Sequence, residues 1–271
     1  MHGLRALAAA IAILVTSGCG GAAVDAGGCD YLFGAPQAAT GLSGNACRPV
    51  LACDGIETFT PPAYGAEAIE ALRARILIDP PLPLPASPYE SPSLVPAGTT
   101  GVCAVLADPS GPGAYRLATF PDRSAVEAAG GVVTHTGACG ACSSLQDLAV
   151  YLGTPNLGDP VRECALIEFG DDPGATLDCI TGLGFTDACA QIWAFNSANT
   201  RAACLVECLE ALDESNHLPD GRLNACLACD EENSGPVFKA VAGRTRRNSG
   251  IPSAICRPGE DVAAVLHDAY P

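Results

Sequence analysis

Basic side chains are scarce in this sequence. It has 14 lysines and arginines, only one of them a lysine, against 30 acids, giving a formal net charge of −16 over 271 residues. Such a chain lacks the clustered cations that a nucleic-acid backbone requires, so general nucleic-acid binding is excluded. Aromatic residues are also few, 5% of the chain with a single tryptophan, so the 48% hydrophobic content rests on Ala, Val and Leu. No Gly-rich phosphate loop follows a strand, and neither His-Glu-x-x-His nor Gly-x-Ser-x-Gly occurs. Asp171-Asp172 and Asp230-Glu231-Glu232 lack the alternating spacing of a calcium loop. Nothing in these patterns calls for a cofactor.

What the chain has in abundance is sulfur: 15 cysteines, beside one methionine. Near its start Arg5 supplies a positive charge, and Leu4 to Val15 gives an apolar run of about a dozen residues, too short to span a bilayer. No later stretch is long and apolar enough to do so. The run ends at Thr16-Ser17-Gly18-Cys19, which resembles the lipobox of bacterial lipoproteins. The resemblance implies that residues 1–18 are a removed signal peptide and that Cys19 is lipidated. Because Gly20 and not Asp follows, it also implies the outer membrane as destination, with the membrane a partner through the anchor. The alternative is ordinary secretory cleavage with Cys19 a structural thiol. Without Cys19 fourteen cysteines remain, the even number that a disulfide framework in an oxidising compartment needs. They fall into Cys29, Cys47, Cys53 and Cys103, then ten from Cys139 to Cys256. Both groups are even, so seven bridges could close without crossing between them, in a pattern the sequence does not specify.

The expected organisation is a tether over 19–28, a small Cys-bearing and Pro-rich segment over 29–100, and a disulfide-rich main domain over 101–271. Ile69, Leu72 and Ile76 give 66–78 a helical spacing. The prolines from Pro80 to Pro96 exclude regular helix and central strand, leaving an exposed linker or an extended strap. Val102–Leu106 and Tyr115–Phe120 read as a hairpin around Asp108–Gly113, Ser124-x-x-Glu127 as a helix start, and Val132–Thr134 as a third strand. Thereafter helices dominate. One is capped by Ser143 and stops at Gly153, one follows Asp159-Pro160, and others run through Cys179, through Cys189 to Phe195, and from Thr200 to about Glu214. In the last, Cys204 and Cys208 share a face. The class is α+β: a small β-sheet region followed by a disulfide-stapled, mainly helical half.

Gly137-Ala138-Cys139-Gly140-Ala141-Cys142-Ser143 resembles the nucleophile segment of papain-like cysteine peptidases, in which Gly-x-Cys-Gly-x-Cys leads into a helix. The resemblance covers about seven residues. It implies Cys142 as nucleophile and Cys139 as a disulfide partner, and a thiol at a helix N-terminus is favoured as thiolate. Thr136 stands where that family has an oxyanion-stabilising Gln, and Ser143 where it has an aromatic residue. A base would come from His135 or His217, since no Asn follows His267 to orient its ring. The other reading makes Cys142 a plain disulfide cysteine. A third groups His135, Cys139 and Cys142 with Cys226-x-x-Cys229 as zinc or copper ligands, although the two Cys-x-x-Cys pairs lie over eighty residues apart.

The second distinctive feature is a charge contrast. From 239 to 257 stand five bases, Lys239, Arg244, Arg246, Arg247 and Arg257, and no acid, whereas 19–238 holds 8 bases and 27 acids. The bases could dock on Asp230-Glu231-Glu232, or form a pocket for an anionic small molecule or protein partner. The leading expectation is therefore a non-enzymatic surface protein that binds a ligand or partner through this segment, with a cysteine hydrolase and a metal carrier as alternatives.

Overall fold

The computed structural model describes residues 31–53, 56–167 and 174–271. The signal segment, the lipobox with Cys19, the tether, Cys29 and Asp171-Asp172 lie outside the described residues. Strands β1 (Leu32–Phe33), β2 (Cys47–Arg48), β3 (Leu51–Cys53) and β4 (Ile56–Phe59) form two small patches, β1 with β2 in parallel and β3 with β4 antiparallel. Helix α1 (Ala66–Arg73) is shorter than its apolar spacing suggests. The aliphatic residues that follow make strand β5 (Ile76–Leu77) instead, because Ile76 N–H and Ile78 N–H find the carbonyls of Gly113 and Tyr115 at 3.0 and 2.9 Å.

The expected hairpin is present as β6 (Val102–Ala107) antiparallel to β7 (Ala114–Phe120), with Val105 opposite Leu117. Asp108 closes its loop by accepting from Ser110 N–H at 2.9 Å. Helix α2 (Arg123–Ala128) starts two residues earlier than expected: Asp122, not Ser124, caps it by accepting from Ala125 N–H at 2.8 Å. Strand β8 (Val132–Thr136) completes a sheet of order β5-β7-β6-β8. Residues Val102 to Val105 are all buried, since both faces of β6 are covered. Val126 of α2 packs on one side and the main core on the other.

At the centre of that core lies α3 (Leu145–Gly153), apolar nearly all round, with Leu145, Leu148, Ala149, Val150 and Tyr151 buried. Its cap is Ser144, whose Oγ accepts from Asp147 N–H at 2.9 Å, so the Ser143 expectation is off by one residue. The remaining helices are α4 (Gly158–Ile167), α5 (Ala175–Gly182), α6 (Asp187–Glu210), α7 (Ala225–Asn233) and α8 (Gly235–Ala242), before strand β9 (Arg257–Pro258). The two expected pieces through Cys189 and from Thr200 are one helix, α6, with a non-helical residue at Cys204 (φ −126°). The architecture is α+β.

Six disulfides hold the described residues together. Cys164–Cys179 joins α4 to α5, and Cys142–Cys189 ties the entrance of α3 to α6. Cys204–Cys229 and Cys208–Cys226 staple α6 to α7 through the shared face that their spacing implies. The even-group expectation fails: Cys47–Cys256 and Cys103–Cys139 cross between the groups. Strand pairing overrides proximity in sequence. Antiparallel pairing of β1 with β9 carries Cys256 to Cys47, while β6 against β8 sets Cys103 opposite His135, four residues before Cys139. Six bridges place the chain outside the reducing cytosol. No helix among the described residues is long and apolar enough to cross a membrane. The proline-rich stretch is a strap: Leu84 N–H donates to Gln191 Oε1 at 2.6 Å, and the Tyr89 hydroxyl lies 2.8 Å from Asn196 Oδ1 and 2.9 Å from the Ser234 carbonyl.

Candidate functional site

The Cys139–Ser143 string is built into the framework at every residue. Cys142 is fully buried and bonded to Cys189, so it carries a disulfide where the peptidase resemblance implies a nucleophilic thiol. Cys139 is bonded to Cys103. Gly140 lies so close to the end of α8 that a Cβ there would meet the Val241 carbonyl oxygen at 2.5 Å. Gly243, at φ +71°, is equally tight against Gly140 N. This close approach lets Ala141 N–H and Cys142 N–H donate to the last carbonyls of α8, Val241 and Ala242, at 2.9 and 2.8 Å. The Gly between the two cysteines therefore has a packing cause.

The histidines are equally committed. His135 is fully buried on β8, and its Nδ1 lies 2.9 Å from the Thr136 carbonyl. A carbonyl only accepts, so Nδ1 carries the proton and Nε2 accepts from the Ser143 hydroxyl at 2.7 Å. Ser143 Oγ also accepts from Gly140 N–H at 2.8 Å. Burial and then the Arg244 charge hold the His135 pKa down to about 3, far from that of a general base at neutral pH. His217 donates from Nδ1 to the Gly221 carbonyl at 2.9 Å and accepts from Cys256 N–H at 3.1 Å. Neither ring faces a thiol. Nor do the metal-ligand types assemble: Cys139, Cys142, Cys226 and Cys229 belong to four separate bridges. Among the described residues no group of three or more His, Cys, Asp or Glu could hold a metal ion.

The five bases divide. Arg244 is fully buried and is not available to a ligand, contrary to its expected place in an anion pocket. Its Nε donates to the Cys142 carbonyl at 3.0 Å. One terminal nitrogen donates to the Thr134 carbonyl at 3.1 Å and Ser249 Oγ at 3.2 Å, the other to Thr134 Oγ1 at 2.6 Å and the Ser143 carbonyl at 3.0 Å. All five N–H groups are met by neutral oxygens that join β8, the start of α3 and the loop after α8.

The other four, Lys239, Arg246, Arg247 and Arg257, line one cavity of about 190 Å³. Lys239 stands on α8, a helix that the sequence reading took as part of a cationic loop. Glu231, on α7, is the hub: it pairs with Lys239 at 2.8 Å, Arg247 at 3.1 Å and Arg257 at 2.5 Å. Burial would raise its pKa, but Arg257, Lys239 and Arg247 together bring it below the ordinary value. Docking onto the acidic run is thus real for three of the bases. Arg247 also reaches Asp261 at 3.5 Å.

Arg246 is different. It donates to the carbonyls of Pro252, at 3.1 Å, and Thr154, and its guanidinium lies 5.5 Å from the Tyr151 ring centroid. Among the described residues it has no ion pair with a carboxylate, and burial lowers its pKa to about 10, which still leaves it charged at neutral pH. Two residues that the sequence reading missed complete the wall: Tyr151 and Trp193, whose rings are 6.5 Å apart. The Tyr151 hydroxyl and Trp193 Nε1 are buried and turned toward each other, and neither has another hydrogen-bond partner among the described residues. A buried donor left without an acceptor is uncommon in native proteins and calls for a cause. The only sequence signal was that Trp193 is the sole tryptophan.

The fold and the cavity together define a disulfide-stapled α+β protein with a cationic, aromatic-walled pocket. Over residues 173–265 the chain matches the model of a family of unknown function (DUF8771), a stretch that includes Trp193 and all five bases but not Tyr151. No curated protein and no solved structure matches the chain.

Proposed function

We propose that this is an exported protein, lipid-anchored at Cys19 to the outer membrane, that binds an anionic small ligand without transforming it. The ligand's charge sits in the cavity walled by Arg246, Tyr151 and Trp193. One observation carries the reading: a half-buried arginine with no carboxylate partner among the described residues stands beside a phenol O–H that has no acceptor there and an indole N–H that is turned to that phenol. A carboxylate entering there would answer the guanidinium and the phenol together, with hydrogen bonds strengthened by the low-dielectric surroundings. The Glu231 side chain, held by three neighbouring cations, shows the chemistry such a group would meet.

The test uses the lone tryptophan. Titration of the exported, oxidised protein with butyrate at constant ionic strength should shift Trp193 fluorescence saturably, butanol should not, and Arg246→Gln should abolish the response. Equal responses to butyrate and butanol would overturn the anion site. For the anchor, metabolic labelling with palmitate should mark the wild-type chain and not Cys19→Ser; an unlabelled wild type would mean plain secretion.

A further inference from the structure

Beside the cationic cavity lies an apolar groove of about 220 Å³, between α4, α6 and α7. Val161 and Leu166 of α4, Leu205 and Leu209 of α6, Leu212 just beyond it, and Leu227 of α7 provide its surface. Leu166, Leu205, Leu209 and Leu212 are 53%, 42%, 56% and 56% exposed. They are half of the exposed large apolar side chains among the described residues, gathered on one face. A concentrated patch of this kind marks a binding surface more often than scattered exposed leucines do.

The groove and the cavity are neighbours. Gly158, Trp193, Asn196, Leu227 and Asp230 line both. One end of the combined site is apolar and the other cationic, with the indole at the junction. Their combined volume falls in the range of roughly 300–1,000 Å³ typical of small-ligand sites. Asp230, at the same junction, has its pKa raised by burial, against the hydrogen bonds from Thr200 and Asn196.

We propose that the ligand is a single-chain amphiphile, its carboxylate held at Arg246 and Trp193 and its hydrocarbon chain laid in the leucine groove. This rests on the anion reading above and deepens it. Charge complementarity selects the occupant. A wholly apolar ligand would leave Arg246 and the Tyr151 hydroxyl unanswered, and a small anion would leave the leucines in water. Glu231, Asp261 and Asp230 stand against the four bases Lys239, Arg246, Arg247 and Arg257, so the surplus suits a singly charged head.

The experiment compares decanoate, butyrate and decanol on the exported, oxidised protein, below micelle-forming concentrations, by Trp193 fluorescence. Burial of a methylene corresponds to about a fourfold gain in affinity, so decanoate should bind at least a hundredfold more tightly than butyrate. Decanoate should also bind at least tenfold more tightly than decanol. Leu209→Glu, a change at an exposed position, should weaken decanoate at least tenfold and leave butyrate unchanged. If decanoate binds no better than butyrate, the amphiphile is overturned while the anion site stands. If decanol equals decanoate and butyrate does not bind, the anion site falls and the amphiphile with it. A normal decanoate affinity in Leu209→Glu would remove the groove from the site.

Discussion

Arg244 and Arg246 stand two residues apart on one loop, and the fold uses them in opposite ways. Arg244 has every N–H directed at a neutral oxygen of the chain and none at solvent. Its charge is dispersed over carbonyl and hydroxyl dipoles, which makes it a tie between β8, α3 and the loop after α8. Arg246 meets two carbonyls and an aromatic face, and lies in a cavity wall with the Tyr151 hydroxyl beside it. A buried cation whose donors are all met is structure; a half-buried one with charge to spare beside a cavity is the group that the proposed ligand would meet. Residue type and local sequence are the same. Only tertiary placement separates the two roles.

The sharpest way to break this contrast is Arg244→Lys. Lysine cannot reproduce the planar fork, and several buried oxygens would lose their donors, so stability in urea should fall by on the order of 4 kcal/mol. A loss under about 1 kcal/mol would show that the cage bears little. Gly140→Ala should follow at about 3 kcal/mol, because the added Cβ meets backbone that cannot yield. Measured thermal unfolding at the wild-type midpoint would read it out.

Acid should act on the tied region before the open one. His135 and His267 are neutral in the fold, with burial and the Arg244 charge lowering each pKa from 6.5 to about 3. Below about pH 6.5 the unfolded chain gains protons that the folded rings refuse, so each ring removes up to about 1.4 kcal/mol per pH unit. Asp147 opposes them: burial lifts its pKa from 3.8 to about 6, despite hydrogen bonds from Ser144 and Thr186, so the fold takes up that proton first. Between roughly pH 4 and 6 one ring is cancelled, and a net loss of about 1.4 kcal/mol per unit remains. His267→Gln should flatten that slope in chemical denaturation followed against pH; an unchanged slope would mean the ring is protonated in the fold.

Smaller effects belong to the open region. Glu231→Gln frees three cations, and butyrate affinity should rise about threefold to tenfold while stability drops by about 1 kcal/mol. Arg246→Gln should change the unfolding free energy by less than about 1 kcal/mol, since the lost contacts are offset by relief of a half-buried charge that has no carboxylate partner among the described residues. Its expected phenotype is loss of ligand alone. A melting temperature that collapses with Arg246→Gln would return this residue to the same class as Arg244.

Much of the secondary structure was legible because its determinants are local. Two β-prone runs around the Asp108–Gly113 loop announced the hairpin, and Ser143 marked the start of α3 to within one residue. The misses have tertiary causes. Ile76 and Leu77 fit a helical stripe, yet the free edge of β7 captured them. Helix α8 begins Gly-Pro with no side-chain cap hydrogen bond and is sustained by packing of Val241 and Ala242, so little in its own sequence announces it. The charge contrast singled out the bases, and the acidic run upstream the hub with which three of them pair. That Arg244 would turn inward, or that Tyr151 and Trp193 would meet Arg246, depends on contacts across tens of residues. The Gly-x-Cys-Gly-x-Cys string was clear as a pattern, but a tight helix end and two bridges account for it as fully as a nucleophile would.

The Cys47–Cys256 bridge spans 209 residues, whereas the other five described bridges span 15 to 47. A chain threaded through a translocation pore N-terminus first presents Cys47 209 residues before its mate. The short-range pairs are free to oxidise while transport continues, but this thiol must stay unpaired, or pair wrongly and be corrected, until that whole stretch has emerged. The longest link is therefore the one that waits: it fastens β2 to the residue before β9 only after the segments between them have been delivered.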